Sequence, residues 1–170
     1  MKQLSFLVVF LSVLTTARSQ SPVDEVFDKY AGKEGYTTVI ISKYMFDLFK
    51  NIDADDPEAK EMNELISNLT GIKILASEKK DEGGSFLKDV KKKISSADYK
   101  ELMTIKEEDQ DVQFLVRENG GKVIELLMVA GGNGDNVLIS IQGNIDMKNI
   151  SKLAKAMNIE GMDKLEDIDK

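Results

Sequence analysis

The chain has 170 residues, with 30 Asp and Glu against 23 Lys and Arg, so its formal net charge is −7. It contains no Cys and no His, which excludes disulfides, thiolate metal sites and thiol nucleophiles and removes the commonest general base. The length fits one domain with, at most, a targeting segment. We therefore expect no metal and no cofactor, and the negative charge argues against binding to nucleic acid.

The first 19 residues have the three parts of an export signal in the expected order. Lys2 supplies a positive charge, residues 4–14 form an apolar stretch, and Ala17-Arg18-Ser19 resembles a cleavage site. An apolar stretch of 11 residues is too short to cross a bilayer, which takes about 20 residues. We predict cleavage after Ser19, export to the periplasm or cell envelope, and a soluble mature chain without a transmembrane segment.

The mature chain begins with alternating helices and strands. Ser21-Pro22 has the pattern of a helix start, and the run at Tyr36–Ser42 is rich in β-branched residues, which favours a strand. Apolar spacing and turn residues then predict five further elements in chain order. The first two are helices, one carrying Met45, Leu48, Phe49 and Ile52 and the next carrying Met62, Leu65, Ile66 and Leu69. A strand at 72–76, a helix carrying Phe86, Val90, Ile94 and Ala97, and a strand at 102–106 follow.

The second half of the chain has consecutive strands. Residues 112–118 alternate in polarity, Asn119-Gly120 is a strong hairpin signal, and residues 123–130 and 137–142 read as two further strands. Asp146 caps a last predicted helix, and residues 158–170 form a charged tail. This order predicts a single α+β domain over residues 20–157. We expect a two-layer sandwich in which helices pack on one face of a mixed, mostly antiparallel sheet.

Acidic and basic clusters have simpler explanations than ligand sites. The glycine-rich turn at 131–135 differs from a calcium-binding nonapeptide and occurs once, so its residues fit an ordinary turn. Asp53, Asp55 and Asp56 are followed by Pro57, which fits a helix N-terminus. Lys91-Lys92-Lys93 fits a solvated helix face.

Glu125 is the exceptional acid, because it lies inside the apolar run 123–130 and in phase with its core positions. One interpretation makes it a buried acid available for chemistry. The other, which we favour, places it near the strand end, either paired with a Lys or Arg or reaching solvent. Catalysis by a pair of carboxylates stays open, because two acids need only meet in space. A Ser/Lys mechanism stays open as well, because it needs no particular neighbours in the sequence; the residues of Ser42-Lys43 and Ser151-Lys152 are adjacent rather than facing each other.

Alternation along the predicted strands assigns side chains to two faces of the sheet. We expect Glu125 and the apolar side chains in phase with it to lie under the helices. The opposite face would then carry an apolar patch, which would be an interaction surface unless a helix or the tail covers it. If it is open, Leu126→Lys should weaken association and leave the fold intact. The members of this candidate interaction face are Leu115, Ile124, Leu126, Met128 and Leu138.

Four segments stand out as a set: ISKYMF at 41–46, YKELM at 99–103, IEL at 124–126 and VLISIQGNID at 137–146. In order and spacing this set resembles an exported family of Bacteroidetes-type bacteria, catalogued as domain of unknown function 4252. The resemblance covers nearly all of the mature chain, and it implies a small periplasmic or envelope protein. It implies no activity and no catalytic residues. Some relatives end their signal with a lipidated Cys, which this chain lacks.

Two functions remain open from the sequence. The first is a non-catalytic exported domain that binds a protein partner or a second copy of itself. The alternative is a hydrolase that uses carboxylates or a Ser/Lys pair on envelope material. A cleft with converging acids would favour the hydrolase, whereas an exposed apolar surface would favour the binding domain.

Overall fold

A computed structural model describes residues 21–49, 60, 63, 64, 66–77, 85–132 and 136–146. Three helices and six strands have assigned bounds in this part of the chain. They are, in chain order, α1 (Asp24–Tyr30), β1 (Tyr36–Ser42), α2 (Lys43–Phe49), β2 (Leu69–Ser77), α3 (Ser85–Ser95), β3 (Tyr99–Lys106), β4 (Gln110–Asn119), β5 (Lys122–Gly132) and β6 (Asn136–Ile145). The predicted signal, the predicted last helix and the tail lie outside the described residues.

The six strands form one sheet in the order β1-β2-β6-β5-β4-β3. All five pairings are antiparallel, so the α+β class is confirmed, whereas the expectation of a mixed sheet is wrong for these strands. The Asn119-Gly120 hairpin is confirmed, because Asn119 pairs with Lys122 across Gly120 and Gly121. Both glycines have positive φ, at 59° and 77°, which is the backbone of a tight turn that matches strand twist.

Helices α1 and α3 cover one face of the sheet. Phe27 of α1 and Phe86 of α3 are fully buried against Leu75, Leu127 and Leu138 of the central strands. The ring of Tyr30 meets that of Phe86 edge to face, with centroids 5.6 Å apart. The hydroxyl of Tyr30 also donates to Asp89 at 2.8 Å. Apolar burial therefore fixes both helices on this face, which we call the α1/α3 face.

The opposite face of the sheet carries a second apolar cluster. Phe114, Leu126 and Ile141 are buried there together with Phe46 of α2 and Ile66. Because apolar clusters lie on both faces, the prediction that helices pack on one face only is not confirmed. Two helical stripes were also predicted too long: Leu69 begins β2, where it pairs with Gly143 of β6, and α3 ends at Ser95.

The predicted candidate interaction face is wrong, because its members do not share a face. Leu115 and Leu138 lie in the α1/α3 cluster, whereas Leu126 and Met128 lie in the opposite cluster, and all four are buried. The reason is an irregular register in β5. Arg117 pairs with Glu125 and Glu118 with Val123, so Ile124 is an extra residue. One extra residue reverses the facing of the side chains that follow it in the same strand, so Leu126 and Met128 of β5 face away from Leu115.

Leu126 shows the consequence most clearly. Its side chain is 1% exposed and belongs to the core on the face opposite α1 and α3. Leu126→Lys is therefore expected to destabilise the protein in the manner of a core substitution. It is not a surface variant.

Candidate functional site: a buried carboxylate and an uncharged sheet edge

Glu125 is fully buried and lies at the centre of a polar network on the α1/α3 face. Its Oε1 accepts hydrogen bonds from the hydroxyls of Ser21 and Ser140, at 2.5 and 2.7 Å. Its Oε2 accepts from the hydroxyl of Tyr99 at 2.9 Å and from Nε of Arg117 at 3.1 Å. Each carboxylate oxygen therefore has two donors, which offset the loss of its hydration.

Strand register explains how these groups meet. Tyr99, Arg117, Glu125 and Gln142 are successive cross-strand partners on β3, β4, β5 and β6. Cross-strand partners point to the same face of a sheet. A row of polar side chains therefore crosses four strands beneath the beginning of α1.

The chain just before α1 and its first residue complete the network. Besides bonding Glu125, Ser21 accepts a hydrogen bond from the backbone N–H of Val23 at 3.3 Å. Asp24 pairs with Lys73 of β2, with Nζ and Oδ1 2.7 Å apart. Polar contacts with β2 and β5 thus fix the position at which the apolar side of α1 docks on the sheet.

The electrostatics of the network follow from its burial. Burial, and then the negative charge of Glu125, raise the pKa of the Tyr99 hydroxyl above its ordinary value of 10.0. The Arg117 side chain is 16% exposed and that of Glu125 0%, so the carboxylate is shielded from solvent. Glu125 is paired with an arginine, as favoured from the sequence, but it is buried and does not reach solvent.

An open cleft lies beside Arg117 at the end of the central strands, with a volume of about 410 Å³. Ile124, the extra residue of β5, lines it and is half-buried. The other lining residues are polar or glycine: Thr70, Arg117, Asn119, Lys122, Gln142, Gly143 and Asn144. Among the described residues that line this cleft there is no carboxylate.

Large exposed apolar side chains are concentrated at one edge of the sheet. Among the described residues they all belong to a ten-residue segment of β1 and α2. Ile40 is 63% exposed and Tyr44 71% exposed. We call this the β1/α2 edge, and its members are Val39, Ile40, Tyr44, Met45 and Leu48. Met45 and Leu48 lie on a helix as their spacing predicted, but both are exposed. The lack of charge in YTTVIIS was the overlooked signal of this edge.

The two edge strands differ in how they are protected. β3 carries Lys100, Glu101 and Lys106, and its register with β4 is interrupted between Glu101 and Met103. Charges and bulges are the usual protection of an edge against pairing with another strand. β1 has no charged residue and pairs with β2 through all seven of its positions without interruption. The β1 edge therefore lacks the protection that β3 has.

Other sequence candidates have separate outcomes. Lys93 pairs with Glu25 of α1, so one member of the lysine run joins two helices. Lys43 pairs with Asp47 at 2.6 Å within α2. The Asp53 cluster, Ser151-Lys152 and residues 133–135 lie outside the described part of the chain. Within that part, no three acidic side chains are grouped to hold a metal ion, and no helix is long and apolar enough to cross a membrane.

Comparison with known families matches residues 30–153 to the family described as Domain of unknown function (DUF4252). The match confirms the family that the sequence segments indicated. Neither the curated proteins nor the solved structures contain a match. The matched range runs from the end of α1 through all six strands, and it includes both Glu125 and the β1/α2 edge. The chain belongs to the family of domain of unknown function 4252.

Proposed function

We propose that this protein is a non-catalytic exported domain of the periplasm or cell envelope that binds a protein partner along its β1/α2 edge. The observation that carries the proposal is the concentration of exposed apolar side chains on an edge strand without charges. Exposed apolar groups that lie together mark interaction surfaces. We infer that the partner contributes an extended segment that adds to β1 as a further strand.

The backbone of β1 supports this mode of binding. Its seven residues pair with β2 on one side, and no other described strand pairs with it. An added strand would gain main-chain hydrogen bonds along this side. Val39 and Ile40 would then contribute apolar contacts on the two faces of the strand, because successive residues point to opposite faces.

The setting of Glu125 supports a non-catalytic role. A general acid or a nucleophile must contact the substrate. The two oxygens of this carboxylate instead accept hydrogen bonds from four groups of the protein. Its hydrogen bonds hold α1 and four strands together, which is a sufficient reason for a charge in the core.

Photo-crosslinking in the native cell tests the proposal. A photoreactive amino acid at position 40 reports on β1, and the same amino acid at position 101, exposed on β3, is the matched control. We expect a discrete protein adduct from position 40 and none from position 101. Equal labelling from both positions, or no adduct from position 40, would contradict the proposal.

A further inference from the structure

We propose that the strand added to β1 is β1 of a second copy of this chain, which gives a dimer with a continuous sheet. This inference rests on the proposed function, because it names the partner of the same edge. The two strands run antiparallel about a two-fold axis at Val39, the middle residue of β1. That position of the axis brings all seven residues of each strand into the pairing.

The composition of β1 suits pairing with itself. In this register Val39 lies opposite Val39 of the second copy, and Thr38 lies opposite Ile40. Such a self-complementary contact is what a two-fold interface requires. Neither strand brings a charge into the pairing, so no like charges meet within it.

The two-fold axis itself sets the antiparallel direction. An axis at Val39 perpendicular to the sheet reverses the direction of β1 in the second copy, so Ser42 of one copy lies opposite Tyr36 of the other. The lysine that follows β1 does not act across this contact, because Lys43 is paired with Asp47 at 2.6 Å within α2.

The opposite edge of the sheet explains why the assembly stops at two copies. Pairing of β1 with β3 of another copy would leave one free edge at each end and would continue into a filament. The charges of β3 and its interrupted register oppose that contact. Pairing of β1 with β1 uses both uncharged edges and leaves only the protected β3 edges outside.

Disulfide trapping tests the pairing, and the absence of Cys in the natural chain makes the readout clean. With the axis at Val39, the two copies of Val39→Cys are direct partners about 4.5–5.5 Å apart, within the range that a disulfide bridges. Thr37→Cys is the matched control on the same face of β1. Its two copies are displaced by four residues, or about 13 Å, which is too far.

Under mild oxidation we expect the purified mature Val39→Cys protein to form a covalent dimer and Thr37→Cys to stay monomeric. Sedimentation of the unmodified protein should show twice the monomer mass at high concentration. Ile40→Lys places two ammonium groups diagonally across the axis and should weaken the dimer about tenfold or more. Glu101→Lys, on β3, should leave it unchanged.

Three results would overturn the inference: an unmodified protein that stays monomeric at all concentrations, equal trapping at both positions, or equal weakening by both lysine variants. A monomer that still gives an adduct with a different protein from position 40 would overturn the self-pairing alone. A monomer that gives no adduct at all would overturn the proposed function as well.

Discussion

Glu125→Leu tests the network beneath α1. It replaces the acceptor of four hydrogen bonds by an apolar side chain of similar size. Arg117 would keep its charge in a site that is 16% exposed, without its ion pair to Glu125. Breaking a buried ion pair from one side costs about 3–5 kcal/mol. For a chain of this length that corresponds to a fall in the thermal midpoint of about 6–20 °C.

Two further variants separate the network from a general effect of losing a glutamate. Glu118→Leu removes an acid that pairs with Lys100 on the surface, and we expect a change of less than about 1 kcal/mol. Arg117→Leu added to Glu125→Leu removes the cation that has lost its ion pair to Glu125. The double variant should therefore be more stable than Glu125→Leu alone.

Urea unfolding of the mature protein, followed by circular dichroism, measures these free energies of unfolding. Comparison requires that the slope of free energy against urea concentration stays the same among the variants. A Glu125→Leu protein within about 0.5 kcal/mol of the unmodified one, the usual range for a surface substitution, would refute the assigned role of this carboxylate. So would a double variant that is less stable than the single one.

The remaining predictions concern pH, backbone and processing. The folded-state pKa of Tyr99 is raised above 10.0, so the contribution of the Tyr99 hydroxyl to stability is complete below that pH and declines above it. Between neutral pH and a pH of about 11, Tyr99→Phe should therefore lose less stability than the unmodified protein. Equal losses in the two proteins would contradict this. At Gly143 φ is 148°, and a carbon added there would lie 2.3 Å from the Asn68 carbonyl oxygen. We therefore expect Gly143→Ala to lower the free energy of unfolding in urea by roughly 1–3 kcal/mol. Gly32→Ala, where φ is 72° and the surroundings are open, should lower it less. Mass spectrometry of the exported protein should show a chain that begins at Gln20 in the soluble fraction, whereas intact Met1 or tight membrane retention would contradict the predicted cleavage.

Local sequence patterns predicted most of the elements. The strand at Tyr36–Ser42 has the predicted bounds, and the hairpin at Asn119-Gly120 forms where its turn residues indicate. The apolar spacing of α3 also identified Phe86 and Val90, the side chains that this helix buries. These features follow from period and turn chemistry, which depend on residues close in the chain.

Tertiary pairing decided what local patterns could not. Glu125 stood out in the sequence, but its donors come from residues 21, 99, 117 and 140, and such distant contacts follow only from strand order and register. The candidate interaction face failed because one extra residue in β5, Ile124, shifts the register with β4. The exposed β1/α2 edge depends on β1 being the last strand of the sheet. An apolar strand has the same sequence pattern at the centre of a sheet and at its edge, because the pattern depends only on the strand's own side chains. Its exposure depends on which strands lie beside it.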